Sequence, residues 1–180
     1  AKVPFIKINC AALPRELIES ELFGSVKGAY TGAQSDREGL FRQAQTGTLL
    51  LDELSEMPVD TQSKLLRVLQ EKECRPVGGR TSYKVDCRIL ASTNRVAEEA
   101  IKVGKLREDL FYRISTITIM LPPLRDRRED VVPLASSFLK RFAAQAGRTI
   151  AGFSLAAADL LRKSDWPGNV RQLQNEVQRA

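Results

Sequence analysis

The sequence predicts an α/β fold in which a parallel sheet is sandwiched between helices and a small helical unit follows. Two observations carry this prediction. Short segments rich in Ile, Leu and Val alternate with helical patterns, and they lie at residues 5–9, 48–51, 85–92 and 116–121. Strands that alternate with helices pair in parallel, and unbroken apolar runs indicate strands covered on both faces. The expected architecture is therefore a three-layer sandwich.

Helical patterns fill the gaps between these segments. They cover residues 14–22, 37–44, a stretch beginning at Pro58, and residues 106–112. Proline is favoured in the first turn of a helix, and Leu65, Leu66 and Leu69 then give the third helix an apolar face.

A boundary between two units is predicted at Pro122-Pro123, because two prolines end a strand and prevent a helix from following directly. Beyond it the pattern is purely helical, over residues 129–146, 154–162 and from 168 onward. Ser154 suits the N-cap of the second of these helices. We therefore expect a partial α/β subdomain at 1–124 and a helical lid at 125–180, incomplete at its C-terminus.

Composition narrows the class of protein. The 180 residues are 43% hydrophobic and 28% charged, as in an ordinary soluble domain. The apolar runs are too short to cross a bilayer and no signal segment opens the chain, so we expect a cytoplasmic protein without a membrane partner.

The absence of histidine excludes Ser-His-Asp chemistry and most transition-metal sites. Three cysteines without CxxC spacing indicate neither disulfides nor zinc. A net charge of +6 fits nucleotide handling and an ordinary solvated surface alike.

Polar residues follow three of the four predicted strands, where ligands bind in open parallel sheets. They are Asn9, the pair Asp52-Glu53, and Ser92-Thr93-Asn94. An apolar strand that ends in two adjacent carboxylates is the Walker B pattern of nucleotide hydrolases. There Asp52 would hold hydrated Mg²⁺ and Glu53 would polarise the attacking water. The alternative is an acidic helix N-terminus after a buried strand.

The other two strand ends are open to similar pairs of interpretations. Asn9, on a neighbouring strand, can reach Glu53 and turn its carboxylate away from water, or it can simply end a strand. Ser92, Thr93 and Asn94 can present hydroxyls and an amide to a γ-phosphate or its attacking water, or they can simply form a turn. The phosphate-binding motif G-x-x-x-x-G-K-[ST] does not occur in these residues.

A glycine-rich segment carries the strongest resemblance to a known family. An aromatic residue between glycines is unusual in an exposed loop, and the segment reads Gly28-Ala29-Tyr30-Thr31-Gly32-Ala33. It closely resembles the GAFTGA loop of the sigma-54-dependent transcription activators, with tyrosine in place of phenylalanine. The resemblance implies that these six residues contact the sigma factor.

Further segments resemble the same family in the same order along the chain. Residues 9–13 are similar to the segment whose asparagine forms a glutamate switch, residues 47–53 to Walker B, and residues 92–94 to sensor I. Residues 75–79 resemble a second surface loop that cooperates with the first. Residues 106–113 resemble the arginine-finger segment, which implicates Arg107 and Arg113, and residues 166–173 resemble sensor II, which implicates Arg171. Taken alone, the three arginines also fit surface cations, Arg171 paired with Glu176 for example.

The resemblance implies the ATP-hydrolysing AAA+ core of an activator that uses ATP and Mg²⁺ to remodel the closed complex of the sigma-54 RNA polymerase holoenzyme. It implies a homo-oligomeric ring, usually a hexamer, and contact with promoter or enhancer DNA through a separate domain. In this family the Walker A loop lies upstream of residue 1, so we expect the chain by itself to be inactive. The alternatives are a non-hydrolysing module that binds sigma factor or a partner subunit, and another AAA+ remodeller such as a helicase loader or chelatase subunit.

Overall fold

The structure is a computed structural model that describes residues 3–30 and 32–180. These residues form two compact units, one ending at Thr118 and one spanning Ile119–Ala180. In chain order the first unit contains β1 (Phe5–Asn9), α1 (Arg15–Phe23), β2 (Gly24–Ser25), β3 (Arg37–Glu38), α2 (Leu40–Ala44), β4 (Thr48–Asp52), α3 (Val59–Glu71), β5 (Glu73–Cys74), β6 (Tyr83–Lys84), β7 (Arg88–Ala91), α4 (Ala97–Lys102) and α5 (Glu108–Ile114). The second contains α6 (Val131–Gln145), α7 (Leu155–Lys163) and α8 (Asn169–Arg179).

A parallel sheet of order β1-β4-β7 forms the centre of the first unit. The register sets Asn9 directly opposite Asp52 and Leu51 opposite Ala91, so all three carboxyl ends meet at one edge. One face of the sheet is buried through Ile8, Leu49 and Leu51. The predicted α/β class with parallel strands is confirmed.

The second face of the sheet is less covered than the apolar runs predicted. Phe5 is 64% exposed and Leu90 is 37% exposed. Both lie on the second face, because their positions alternate along the strands with those of the first face. The first two predicted strands are confirmed, and the third is shorter than expected, since β7 begins at Arg88.

The fourth predicted strand, at residues 116–121, is wrong. Ile117, Ile119, Met120 and Leu121 are each about 80% exposed, and the segment pairs with no strand in the described part of the chain. A strand is held by hydrogen bonds to a neighbouring strand, and β-branched residues alone do not supply that neighbour.

The helices of the first unit lie close to their predicted positions, with two differences. The helix predicted at 37–44 begins only at Leu40, because residues 37–38 form β3. Helix α4 was not predicted. Helix α3 follows Pro58 as expected and buries Leu65, Leu66 and Leu69.

The second unit is helical, as the sequence predicted. Its core packs Leu124 and Val131 against Trp166, Leu173 and Val177. The Ser154 hydroxyl accepts a hydrogen bond from Ala157 N at 3.2 Å, which caps α7 as expected. The Trp166 indole donates to the Leu161 carbonyl oxygen at 2.8 Å, so this ring has a structural role in the core.

Candidate active site

Three strand ends converge at the carboxyl edge of the sheet. Asp52 ends β4, Asn9 ends the strand on one side of it, and residues 92–94 follow the strand on the other. Backbone bonds from Ser92 N to Leu51 O and from Leu54 N to Ser92 O, both 2.9 Å, hold the third segment beside the carboxylates. The structure thus brings together the polar residues that the sequence singled out.

Asp52 is held in a fixed orientation by side chains from both neighbouring strands. The Ser92 hydroxyl donates to Asp52 Oδ1 at 2.5 Å, and the Lys7 ammonium lies 2.9 Å from Oδ2. The hydrogen bond from Ser92, and then that from Lys7, lowers the pKa of the Asp52 carboxyl below its usual range. At neutral pH Asp52 is therefore an oriented anion.

Glu53 has an uncommon backbone conformation directly after the strand. Its φ and ψ are 57° and 49°, in the left-handed region that non-glycine residues rarely adopt. The Ser92 hydroxyl accepts a long hydrogen bond of 3.4 Å from Glu53 N. Within the described residues the Glu53 carboxylate forms no hydrogen bond or ion pair. Strain of this kind clusters at functional sites, and the residue that carries it here has a half-buried side chain.

A neighbouring carboxylate, Glu56, is by contrast neutralised. It pairs with Arg95 Nε at 3.0 Å and Lys105 Nζ at 3.4 Å, and the hydrogen bond from Arg95 is the main reason that its pKa is lowered. Unlike Glu56, Glu53 has no ion pair to its carboxylate among the described residues, so this carboxylate is available to a ligand.

Asn9 lies beside the carboxylates, but its amide oxygen is otherwise engaged. Asn9 Oδ1 accepts hydrogen bonds from Ala11 N at 2.8 Å and Ala12 N at 3.1 Å. No hydrogen bond joins Asn9 to Glu53 in the part of the chain that the structure describes. These contacts match the interpretation of Asn9 as a residue that ends a strand.

On the opposite side, Thr93 and Asn94 are both exposed. Thr93 Oγ1 lies 3.1 Å from Ser55 Oγ and accepts a hydrogen bond from Arg95 N at 3.2 Å. These contacts form the turn that the sequence offered as one alternative, and they leave the Asn94 side chain at the surface of the edge.

The two arginines predicted to act as fingers are both held by groups of the first unit. Arg107 precedes α5 and forms a two-pronged pair with Asp109, at 3.0 and 2.6 Å. Arg113 donates to the Leu69 carbonyl oxygen at 3.0 Å and lines a cavity of about 380 Å³ with Arg88, at the opposite end of β7 from Ser92. In the second unit Arg171 is exposed on α8, and Glu176 pairs with Arg179, not with Arg171.

The glycine-rich segment is the tip of a two-stranded stem made by β2 and β3. Asp36 Oδ1 accepts from Lys27 N at 2.7 Å, and Gly28 N donates to Ala33 O at 2.8 Å, which closes the base of the loop. Gly28 and Gly32 have φ of 79° and 101°, a conformation that suits glycine. Ala29 and Tyr30 are half-buried, and Thr31 lies outside the described residues.

The segment at 75–79 lies directly beside this stem. Val26 N donates to Val77 O at 3.1 Å, and Val77 N donates to Gly24 O at 2.8 Å. The approach is close, since a Cβ on Gly78 would meet Ala29 Cβ at 2.9 Å. The two surface segments therefore share one hydrogen-bonded base.

Lys7 and Gln62 were not identified from the sequence, and Ser92 was identified as a polar strand end but not as a partner of Asp52. Gln62 is fully buried, and its amide joins Met57 O, Lys105 O and Arg107 N at 2.8, 2.7 and 2.9 Å, which fixes the entry to α5. A polar residue within the apolar pattern of α3 was the available signal for Gln62.

Comparison with known proteins identifies the family. A family profile described as the Sigma-54 interaction domain matches residues 1–120, and one described as the AAA+ ATPase lid domain matches residues 125–180. The chain belongs to the Sigma-54 interaction domain family. The chain is 56% identical to the regulatory protein AtoC of Escherichia coli K12 over 180 residues, which are all of this chain and 39% of that protein. It is 54% identical to the transcriptional regulator NtrC of Azospirillum brasilense over 176 residues, 98% of this chain and 36% of that protein.

Solved structures support the same assignment. NtrX from Brucella abortus in complex with ADP superposes with a TM-score of 0.87 at 40% identity, covering 98% of this chain and 38% of that one, and an ATP complex of the same protein superposes with a TM-score of 0.86. Hsp104, at 19% identity and a TM-score of 0.71 over 97% of this chain and 34% of its own, shares the AAA+ fold. The chain spans less than half the length of these relatives. No helix in its described residues has the length and apolarity needed to cross a membrane.

Proposed function

We propose that this chain belongs to the ATP-hydrolysing core of a sigma-54-dependent transcription activator, which in the full-length protein couples hydrolysis to remodelling of the sigma-54 RNA polymerase closed complex. The chain by itself is expected to be inactive. One observation carries the proposal. Asp52, oriented by Ser92, lies beside Glu53 where three parallel strands end, and the Glu53 carboxylate has no hydrogen bond or ion pair among the described residues. That edge is where parallel α/β sheets bind ligands. The ADP and ATP complexes of the similar NtrX support nucleotide as the ligand.

The donor set at this edge fits a hydrated magnesium ion. Mg²⁺ keeps most of its waters and takes one or two carboxylates together with substrate phosphates. Asp52 offers one oriented, half-exposed carboxylate, and the described residues contain no cluster of three or more metal-ligating side chains. Bound at Asp52, the ion would neutralise phosphate charge.

The remaining roles fall to side chains of the chain itself. Glu53 accepts a proton from the attacking water, and Thr93 and Asn94 bind the γ-phosphate or orient that water. Asn9 would give up its contacts with Ala11 and Ala12 to hold the Glu53 carboxylate when the nucleotide state changes. Arg171 is assigned to phosphate binding.

Arg107 and Arg113 act on the nucleotide of a neighbouring subunit. Arg113 lies near Arg88, at the opposite end of β7 from the carboxyl edge, which supports action in trans. A homo-oligomeric ring, a hexamer, supplies the neighbour. An arginine finger in related phosphoryl-transfer systems raises the rate roughly 10³- to 10⁵-fold. We place the protein in the cytoplasm, with DNA contact made by a separate domain.

The loop of Gly28, Ala29, Tyr30, Thr31, Gly32 and Ala33 is the proposed sigma-54 contact. Its stem shares hydrogen bonds with residues 75–79, so both surface segments move as one element when hydrolysis changes the unit.

An experiment on the full-length protein separates hydrolysis from coupling. Tyr30→Ala should abolish ATP-dependent opening of a sigma-54 promoter, measured by permanganate footprinting, while ATP turnover stays within about two-fold of wild type. Tyr30→Phe is the matched control: it retains the ring and should retain opening. Promoter opening by Tyr30→Ala at the wild-type rate would contradict the assigned loop contact.

A further inference from the structure

Both carboxylate oxygens of Asp52 are already occupied by groups of this chain. Ser92 donates to Oδ1 and Lys7 approaches Oδ2, at 2.5 and 2.9 Å. Lys7 precedes Asn9 by two positions on β1, so both side chains project from the same face of the strand. The ammonium group of Lys7 therefore lies at the same edge as the carboxylate pair.

The two contacts differ in kind. Ser92 is neutral, so its hydrogen bond can persist when Asp52 binds a metal ion through water. Lys7 is a cation, and two cations at one carboxylate repel each other. Lys7 and a hydrated divalent ion therefore cannot occupy Asp52 Oδ2 at the same time.

We propose that Lys7 is a built-in counter-ion that competes with Mg²⁺ for Asp52 and thereby sets the Mg²⁺ concentration at which the site fills. This inference rests on the proposed function of Asp52. Lys7 is 56% exposed and Asp52 28% exposed, so the lysine can withdraw into water without leaving a buried charge. Lys7 is in this account a positioning residue of the resting state.

The test is a Mg²⁺ titration of the binding of a fluorescent ATP analogue to the full-length protein. Lys7→Met should lower the half-saturating Mg²⁺ concentration roughly two- to five-fold, the range that an exposed ion pair supports. Lys7→Arg, which keeps the charge, should stay close to wild type. The matched control is Lys64→Met, which removes another exposed lysine paired with a carboxylate, Glu19, and should leave the titration unchanged.

A second measurement separates pairing from general charge effects. In metal-free buffer, the double variant Lys7→Met, Asp52→Asn should not show the sum of the two single changes in melting temperature, because the two residues are paired. With saturating Mg²⁺ and nucleotide analogue, the double variant should show that sum. An unchanged or raised half-saturation in Lys7→Met, or additive effects without metal, overturns the Lys7 proposal alone. A wild-type protein whose nucleotide binding does not depend on Mg²⁺ overturns the proposed function and the Lys7 proposal together.

Discussion

Replacement of Ser92 by alanine is the sharpest test of how the carboxylate edge is built. The substitution removes the hydroxyl that donates to Asp52 Oδ1 at 2.5 Å and accepts from Glu53 N at 3.4 Å. A hydrogen bond to a charged group contributes about 1.5–3 kcal/mol. Because Asp52 is 28% exposed and water replaces part of the bond, we expect a loss of about 1–2 kcal/mol in the free energy of unfolding at pH 7.

The loss should depend on pH in a defined direction. Ser92 lowers the pKa of Asp52 in the folded state below its ordinary value of 3.8. A lowered folded-state pKa contributes stability that is present above the unfolded-state pKa and is lost as pH falls through the folded-state pKa. The difference between wild type and Ser92→Ala should therefore be full at neutral pH and should shrink below about pH 4.

Urea unfolding followed by circular dichroism, repeated from pH 7 to the lowest pH at which the protein stays folded, measures this difference. Ser82→Ala is the matched control, since Ser82 donates to Glu73 Oε2 at 2.7 Å between two exposed residues. It should cost less than about 0.5 kcal/mol. A Ser92→Ala penalty no larger than that of Ser82→Ala, or one that persists unchanged in acid, refutes the reasoning.

Three further outcomes are expected. Gln62→Leu leaves three backbone groups without their partners and should lower the unfolding free energy by about 3 kcal/mol or more in the same urea assay; a loss below about 1 kcal/mol would contradict this. Gly39→Ala places a Cβ 2.3 Å from Gly24 N at the base of the loop stem. The substitution should therefore lower the melting temperature and speed amide hydrogen exchange in β2 and β3. Exchange at the wild-type rate in these strands would rule out the clash. Burial raises the pKa of the Cys10 thiol to about 12, and burial also raises the pKa of the thiols of Cys74 and Cys87. Iodoacetamide at pH 8 followed by peptide mapping should therefore label none of the three before unfolding and all of them after it, and labelling of the native protein would contradict their burial. The three thiols are Cys10, Cys74 and Cys87.

The fold class was predictable because hydrophobic patterns report burial. The strands β1 and β4 are short apolar runs with polar residues directly after them, and the parallel pairing followed from the helices between them. The same reasoning failed at residues 116–121, where the β-branched pattern is present but the described chain provides no neighbouring strand. Pattern predicts a tendency, whereas a strand also needs a partner.

The carboxylate pair at the sheet edge was predictable, but its supporting contacts were not. Asp52 and Glu53 could be identified because adjacent acids after a buried strand are a local signal. Lys7 and Ser92 reach Asp52 from strands far away in sequence, and only the register of β1, β4 and β7 brings them together. The left-handed backbone conformation of Glu53 could not be predicted either, because glutamate is not a residue type that favours it.

The central claim is that Glu53 activates water for ATP hydrolysis, and turnover of Glu53→Gln in the full-length protein tests it most directly. ATP hydrolysis should fall by about 10²-fold or more, as expected for loss of a general base, while ATP affinity stays near wild type. Glu56→Gln, which alters a carboxylate already paired with Arg95 and Lys105, should retain turnover within a few-fold. Unchanged hydrolysis in Glu53→Gln would contradict the account.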